Sequence, residues 1–408
     1  MEEEGKKMFS VNFLRMLLSF NSVKGIDPKG IIRLGIIGIR LAQKYSSRID
    51  MLNVENCFYL SDFNTSDVQK EDEHLLCLLP KHHSILSQVE YYDNDSFSYS
   101  DINHLFKACL RNGQEITIKV ISERAKDIFL KNLASMKQDA KLCSYFMKNL
   151  EKKFKIMDMV ENLRTESEVK FNLNNEIKCT ELMKDFKEEY KNFKAFDRLK
   201  FAHIYAYLSS ANILVSEYIY GTHFCQLEEE RRLSYKDVFD AIRIQLFFIF
   251  KIGMYHGNLH MGNIMLSEKG DIYFLDCNNI VNLSDDMREG IFKILKSILR
   301  YDYNEIPNFI QELSIKRIDS ASLNNVSVEV EKIFRDFKGA TLAKNGRIIT
   351  NLMLSLKSAL NNGMEFREEL YPLLKSLMYL EIMAEKIAPK RNFTEDMSNI
   401  FTEILLYK

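Results

Sequence analysis

The sequence lacks several features that would assign it to common functional classes. Its formal net charge at pH 7 is −1 over 408 residues, which argues against a nucleic-acid binder acting through bulk positive charge. The seven cysteines are scattered and include no C-x-x-C pair, which favours a reducing compartment and argues against a zinc site. No apolar run reaches the roughly 18 residues of a membrane-spanning helix. With 46% hydrophobic residues, the chain can still bury two or three sizeable cores.

Glycine is the most informative absence. Residues 90–118 contain only Gly113, so no Gly-x-Gly-x-x-Gly loop can cover the phosphates of a nucleotide there. The strand that normally follows such a loop is nevertheless predicted, because Asn112-Gly113 supplies a hairpin turn and residues 116–119 alternate as a strand that ends in lysine. We therefore expect Lys119 to bind nucleotide phosphates.

What the sequence does contain is a segment laid out like the catalytic loop and metal-binding turn of a protein kinase. Residues 256–263 read His-Gly-Asn-Leu-His-Met-Gly-Asn, and Asp276 follows a predicted hairpin over 264–275. Kinases use the third loop position as the catalytic base, the eighth as a magnesium ligand and the later aspartate to join magnesium to the phosphates. Asn263 and Asp276 are therefore candidate magnesium ligands. The base position holds Asn258 instead of aspartate.

Two further parts of an ATP site are predicted upstream. The helix around residues 185–192 follows a polar, asparagine-rich segment at 165–180, which we interpret as a loop. Glu189 in that helix is the candidate ion-pair partner of Lys119. Residues 213–221 predict a buried strand that runs into a hinge, where the backbone of Glu217 and Tyr218 would bind adenine.

Taken together, these residues resemble the UbiB family of atypical protein-kinase-like proteins. That family has an alanine-rich loop in place of the glycine-rich one, and Phe97-Ser98-Tyr99-Ser100-Asp101-Ile102 takes that place here. Its Lys-x-Gly-Gln motif and the following Ser-Thr-Arg-Pro-Asp-like run are similar to Arg40–Gln43 and Ser46–Asp50. Arg40 and Gln43 are thus candidate regulatory residues by resemblance.

The resemblance implies a fold and cofactors. The implied fold is α+β and helix-rich, a bilobal protein-kinase-like fold with a helical N-terminal extension. The expected divisions are an extension over 1–88, an N-lobe with inserted helices over 89–221 and a helical C-lobe over 222–408. ATP and Mg²⁺ are the implied cofactors. The implied location is intracellular, at a mitochondrion-related organelle or a membrane periphery, and otherwise the cytoplasm.

The N-terminal segment leaves two interpretations open. Arg33, Arg40 and Lys44 lie on one face of a predicted apolar helix over about 31–45. This pattern suits a membrane or lipid surface. The same helix could instead pack on the kinase-like core with its basic stripe in solvent.

The function turns on Asn258, because an amide can orient a hydroxyl group but cannot accept its proton. Losing a general base costs about 10² to 10⁴ in rate. The favoured hypothesis is a pseudokinase or weak ATPase that binds MgATP or ADP and regulates lipid or isoprenoid metabolism. The alternative is an active atypical kinase or ATPase that works by positioning and metal electrostatics. A small-molecule phosphotransferase of the aminoglycoside type is a third hypothesis, but it would not explain Arg40–Gln43.

Overall fold

The computed structural model describes residues 2–20, 25–63, 74–79, 85–100 and 102–407. The chain forms two compact units, which are described separately. Unit 1 comprises Met1–Ser46, Asn56–Thr180 and Ala202–Ile219, and unit 2 comprises Ser47–Glu55, Glu181–Phe201 and Tyr220–Lys408.

Unit 1 combines a group of helices with one antiparallel sheet. Its helices are α1 (Glu2–Phe20), α2 (Pro28–Arg33), α3 (Ile36–Tyr45), α4 (Val54–Ser61, which begins in unit 2), α5 (Leu75–Leu78), α6 (Ile85–Gln88), α7 (Glu123–Phe146), α8 (Lys148–Phe154), α9 (Ile156–Lys170) and the first half of α10 (Leu173–Glu189). Its strands are β1 (Val89–Tyr92), β2 (Ser98–Ser100), β3 (Asn103–Leu110), β4 (Glu115–Ile121) and β6 (Ile213–Glu217).

The sheet of unit 1 has the order β1-β3-β4-β6, with β2 paired to β3. The predicted hairpin is confirmed as β3 and β4, and Gly113 in its turn has φ +84, a left-handed conformation that glycine adopts without strain. Alternate residues of β4 enter the core of the unit, so Ile116, Ile118 and Val120 are buried together with Phe106. This packing fixes the register of Lys119 on the strand.

The predicted helix over 31–45 is interrupted. Helix α2 ends at Arg33 and α3 begins at Ile36, because Gly35 between them has φ +62. Ile37, Ile39 and Leu41 are fully buried, so α3 belongs to the core of unit 1. No helix in the part of the chain that the structure describes is long and apolar enough to cross a membrane.

The loop predicted over 165–180 is wrong. Helix α9 continues to Lys170, and α10 begins at Leu173 after a short connection. The inward face of α10 places Leu173, Glu176 and Thr180 in buried positions at helical spacing. Composition suggested a loop because two of these three buried positions carry polar side chains.

Unit 2 is mostly helical. Its helices are α11 (Phe224–Glu229), α12 (Tyr235–Phe247), α13 (Asp285–Leu299), α14 (Ile306–Leu313), α15 (Ser320–Phe334), α16 (Ile348–Asn361), α17 (Leu370–Ile387) and α18 (Phe393–Leu406). The strands β5 (Leu199–Lys200), β7 (Gly221–His223), β9 (Ile264–Ser267) and β10 (Ile272–Phe274) form one sheet, and β8 (Met254–His256) pairs with β11 (Ile280–Asn282).

Two features of unit 2 position the loop at 256–263. Helix α12 is followed by a π-turn over Phe248–Ile252 that leads into β8. The predicted hairpin after the loop is confirmed as β9 and β10, with Ile272 opposite Leu266. Phe247, at the end of α12, stacks on Phe193 with ring centroids 4.0 Å apart in an aromatic core.

Candidate nucleotide site

The lysine of β4 forms a buried ion pair. The Nζ of Lys119 lies 2.7 Å from Oε2 of Glu176 in the first turn of α10, and each residue is only 7% exposed. A buried ammonium on β4 and a carboxylate on α10, the fourth helix after that strand, resemble the lysine–glutamate pair that kinases use to aim the lysine at nucleotide phosphates. A buried lysine–glutamate ion pair, as predicted for Lys119, therefore exists within unit 1.

The partner is not the one predicted from the sequence. We expected Glu189, which lies at the opposite end of α10 and is exposed. The prediction of Glu189 as the partner of Lys119 is wrong. Because a loop was expected over 165–180, the helix was predicted to begin too late in the chain. Glu176, which lies in the first turn of α10, was therefore not considered. The true start of the helix could have been recognised from the sequence Asn172-Leu173, which precedes Glu176.

The strand predicted before the hinge is present as β6, but two backbone donors at its end already have partners. The N–H of Glu217 donates to the carbonyl of His203, and the N–H of Tyr218 donates to the carbonyl of Glu115. The Tyr218 ring also lies 4.2 Å from Nζ of Lys107. The prediction that this backbone binds adenine stays a prediction. Because the N–H groups of Glu217 and Tyr218 already donate within unit 1, they are not the donors to adenine in this arrangement. Residues 98–100 of the expected alanine-rich-loop region form β2, and Asp101 lies outside the described residues.

The loop at 256–263 is held by its own backbone and by one buried histidine. The Nδ1 of His256 accepts from the N–H of Asn258 at 3.1 Å, so its Nε2 carries the proton that it donates to the carbonyl of Leu275 at 2.9 Å. His256 is fully buried. Gly257 is required because a Cβ there would lie 2.5 Å from Cγ2 of Val281.

The loop brings Asn258, Asn263 and the metal turn together. The Nδ2 of Asn263 donates to the carbonyl of Asn258 at 2.9 Å, and the carbonyl of Asn263 accepts from the N–H of Leu275 at 2.9 Å. Because its amide nitrogen is turned toward the loop backbone, the side-chain oxygen of Asn263 faces away from that bond. Asp276 follows Leu275 directly, so the two candidate magnesium ligands are linked through one backbone hydrogen bond.

The side chain of Asn258 has a partner that the sequence did not reveal. Its Oδ1 accepts from Nζ of Lys375 at 3.0 Å, and Asn258 is 9% exposed. Lys375 lies on α17 and is half-buried. No local motif could have predicted this contact, because the two residues are 117 positions apart.

The metal turn has an unusual backbone. Asp276 has φ +55, a left-handed conformation that aspartate tolerates better than most residues. Its Oδ1 accepts from Nδ2 of Asn278 at 3.0 Å, while Oδ1 of Asn278 is buried and has no hydrogen-bond partner. Asn278 therefore ties the side chain of Asp276 to the turn and offers a second oxygen close to it.

These residues fit a magnesium ion. Mg²⁺ prefers carboxylate, amide and water oxygens, and a buried oxygen without a partner is completed by a hard cation or its water. Asp276 and Asn263 would hold the ion, with Asn278 beside them. Within the described ranges, no group of three His, Cys, Asp or Glu residues could hold a metal.

The two regulatory candidates lie inside unit 1. Nη1 of Arg40 donates to Oγ of Ser167 at 2.7 Å, and its guanidinium lies 4.8 Å from the centre of the Phe129 ring. Gln43 donates to the carbonyl of Phe63 at 3.1 Å. Arg40 is 7% exposed, so it belongs neither to a membrane-facing stripe nor to a solvated one. Stacking on aromatic rings and a hydroxyl partner allow this burial.

The second part of the N-terminal motif lies in unit 2. Arg48 forms two hydrogen bonds with Asp50 and a 2.7 Å ion pair with Glu368, and its guanidinium lies 4.2 Å from the centre of the Tyr371 ring at the start of α17. Burial lowers the pKa of Arg48, but the carboxylates of Asp50 and Glu368 raise it by more. The short segment Ser47–Glu55 is thereby fixed to α17.

A buried lysine–glutamate pair, a loop with kinase-type spacing and the Asp276 turn are the parts expected of an atypical protein-kinase-like protein. A family model described as the ABC1 atypical kinase-like domain matches residues 83–310. The chain belongs to this family, and the predicted UbiB-type membership and kinase-like, helix-rich fold are confirmed.

The chain is similar to several named relatives. It is 26% identical over 232 residues to AarF domain-containing kinase 1 of Drosophila melanogaster, covering 55% of this chain and 43% of that protein. It is 22% identical over 340 residues to an uncharacterized chloroplastic aarF domain-containing protein kinase of Arabidopsis thaliana, covering 76% and 62%. It is 24% identical over 291 residues to a probable protein kinase UbiB of Blochmanniella pennsylvanica, covering 69% and 51%. The chain thus spans less than two thirds of the length of each.

Proposed function

We propose that the chain binds a nucleoside triphosphate with Mg²⁺ and acts as a pseudokinase or very slow ATPase. The observation that carries this proposal is the buried pair of Lys119 and Glu176, with the Lys119 Nζ 2.7 Å from the carboxylate. A buried ion pair adds little net stability compared with well-packed apolar side chains, so its presence on β4 and α10 is best explained by a role in binding phosphates. Family membership supports the same proposal.

The residues have separate roles in this proposal. Lys119 binds phosphate oxygens, and Glu176 holds the ammonium in place. Asn263 and Asp276 would hold a magnesium ion, which would neutralise charge on the phosphates when bound. Asn258 orients a hydroxyl or water by hydrogen bonding but does not accept its proton. Binding is retained in this arrangement while turnover is slow.

Nucleotide titration tests the proposal. MgATP at one hundred times its dissociation constant is expected to stabilise the wild type by about 2.7 kcal/mol in a thermal-unfolding assay. Lys119→Ala and Asp276→Ala should each abolish most of this stabilisation. A wild type that does not respond would exclude nucleotide binding, and variants that respond like the wild type would show that the site is assigned to the wrong residues.

The same preparation separates the active alternative from the pseudokinase. The intact ion pair and the Asp276 turn are the reason to keep an active kinase or ATPase as the alternative, because positioning and electrostatics supply most of phosphoryl-transfer catalysis. Wild-type hydrolysis that equals the rate of an Asn258→Asp variant would support a mechanism without a base. A much slower wild type would support the pseudokinase.

The biological setting is proposed from the family alone. We expect lipid or isoprenoid metabolism and a membrane or lipid surface as a partner, and the chloroplastic relative supports an organellar location. The burial of Arg40 removes one argument for direct membrane contact through α3. Co-sedimentation with liposomes, with and without MgATP, tests whether the protein binds lipid and whether nucleotide changes that binding.

A further inference from the structure

The C-terminal end of α7 carries large apolar side chains that the fold leaves uncovered. Tyr145 is 73% exposed, Phe146 is 75% exposed and Leu142 is 59% exposed. Because residues three and four positions apart on a helix are neighbours, these three side chains form one apolar patch. The rings of Tyr145 and Phe146 meet edge to face with centroids 5.0 Å apart, so the patch is a contiguous surface.

This patch does not belong to the stripe by which α7 packs into unit 1. The buried apolar residues of the helix are spaced alternately by four and three positions, at Phe129, Leu133, Met136, Ala140 and Cys143. With 3.6 residues per turn, positions 142, 145 and 146 lie on roughly the opposite side of the helix. Packing of the unit therefore does not explain the patch, and an exposed apolar patch rimmed by charged residues is typical of an interaction site.

Exposed lysines flank the apolar patch. Residues 141–155 contain five lysines and one acidic residue, although the whole chain has a net charge of −1. Helix α8 begins at Lys148, two residues after Phe146. It buries Leu150 and Phe154, while Lys148 and Lys152 are exposed one turn apart on another face.

The acidic side chains closest to the patch in sequence face inward. Within residues 141–155 the acid is Glu151, whose Oε1 accepts from the N–H of Met157 at 3.4 Å and whose Oε2 is buried. Upstream of this segment the nearest acid is Asp139, and its Oδ2 is also buried. The exposed charge of residues 141–155 is therefore positive.

The size and the charge of this surface favour an anionic bilayer over a protein partner. A Tyr or Phe side chain buries about 150 to 250 Å² when it is fully covered, so the three partly exposed side chains offer roughly 400 Å². A stable protein interface buries about 800 Å² on each partner. A bilayer needs only shallow insertion of apolar side chains together with lysines near anionic headgroups.

We propose that Leu142, Tyr145, Phe146, Lys148 and Lys152 form a membrane-docking surface for anionic lipids. The three apolar side chains enter the interfacial region of the bilayer, where aromatic rings are favoured, and the two lysines bind the headgroup charge. The inference rests on the lipid partner proposed above and assigns that partner to α7 and α8 instead of α3. It does not depend on nucleotide binding.

Tryptophan fluorescence tests insertion, because the chain contains no tryptophan. The emission of Phe146→Trp should shift to the blue with vesicles of phosphatidylcholine and phosphatidylglycerol, and not with phosphatidylcholine alone. Tyr207→Trp is the matched control, because Tyr207 is also 73% exposed and its ring lies 6.3 Å from that of Tyr205, but residues 201–212 contain no lysine. Its emission should stay unchanged. A blue shift in neither variant, or in the control alone, would overturn the assignment.

Vesicle flotation of the full chain tests the role of charge. Lys148→Gln combined with Lys152→Gln should weaken binding to the anionic vesicles roughly thirtyfold, since each lysine near such a surface contributes about fivefold. The control is Lys386→Gln combined with Lys390→Gln, a pair of exposed lysines with the same spacing in unit 2, which should leave the affinity unchanged. Equal weakening by both pairs would show attraction by overall charge and would contradict the docking surface.

The outcomes also separate this inference from the proposed nucleotide binding. A wild type that responds to MgATP in thermal unfolding but binds neither kind of vesicle would overturn the docking surface, leave nucleotide binding standing and assign the patch to a protein partner. Vesicle binding by a wild type that does not respond to MgATP would have the opposite meaning. Vesicle binding that persists in Tyr145→Ser combined with Phe146→Ser would show that another surface docks.

Discussion

Replacing Glu176 with glutamine removes the carboxylate that faces Lys119 but keeps an oxygen that can accept a hydrogen bond. Both residues are 7% exposed and their charged atoms are 2.7 Å apart. Removing one partner of a buried pair costs about 3 to 5 kcal/mol. We expect about 3 kcal/mol for Glu176→Gln, because the remaining oxygen still accepts from the ammonium.

Thermal unfolding followed by far-UV circular dichroism measures this cost. In a unit of this size, about 3 kcal/mol lowers the midpoint of unfolding by about 6 to 12 °C. The MgATP-dependent rise of the midpoint should also largely disappear, since Glu176 holds the Lys119 ammonium in the orientation needed for phosphates. A double variant, Lys119→Met with Glu176→Leu, should be more stable than Glu176→Leu alone because it leaves no buried charge.

Glu189→Gln is the matched control on the same helix. Glu189 is exposed, so its substitution should change the free energy of unfolding by less than about 0.5 kcal/mol and leave the MgATP response intact. The reverse outcome would refute the reasoning: a nucleotide response that survives in Glu176→Gln and is lost in Glu189→Gln would restore the partner predicted from the sequence.

Three further outcomes are expected. Asn258→Asp should raise ATP turnover at least about tenfold, measured as phosphate release, and an added Asp276→Ala substitution should abolish the gain. Arg40→Met should destabilise unit 1 by about 2 kcal/mol, because it loses the bond to Ser167 and the aromatic stacking; unchanged stability with weakened liposome binding would contradict its burial. Burial lowers the pKa of His223 below its usual range, so the unfolded state binds more protons between that pKa and about 6.5. Wild-type stability should therefore fall as the pH drops below about 6.5, and His223→Gln should flatten this dependence in unfolding scans at several pH values.

The parts of the site that were predictable from the sequence are those whose signals are local. The hairpins around Gly113 and Gly270 are specified by their turn residues, and both glycines adopt positive φ. The loop from His256 to Asn263 is closed by bonds among its own residues and those of the following turn. Local chemistry of this kind can be recognised without knowing the rest of the fold.

The parts that were missed have polar residues at positions where periodicity expects apolar ones. Ser167 on α9 is fully buried, bonds to the carbonyl of Leu163 and accepts from Arg40. Glu176 occupies a core-facing position of α10 because Lys119 neutralises it. A pattern based on hydrophobicity interprets the end of α9 and the start of α10 as loop, since it does not detect that the polar groups have buried partners. The contact of Lys375 with Asn258 could not be predicted from any local sequence pattern.

The substitution at position 258 separates two properties that kinases normally combine. In the proposed function, binding would depend on Lys119, Glu176, Asn263 and Asp276, and the contacts of these residues are retained within their units. Proton transfer depends on position 258, where the amide accepts from an ammonium and has no basic lone pair to offer. A chain that had lost its function as a whole would have no reason to keep a buried lysine–glutamate pair that breaks at a cost of several kcal/mol when either partner changes. Retention of the binding set beside an amide at the base position therefore favours a protein whose role is to hold nucleotide, with turnover as a secondary property.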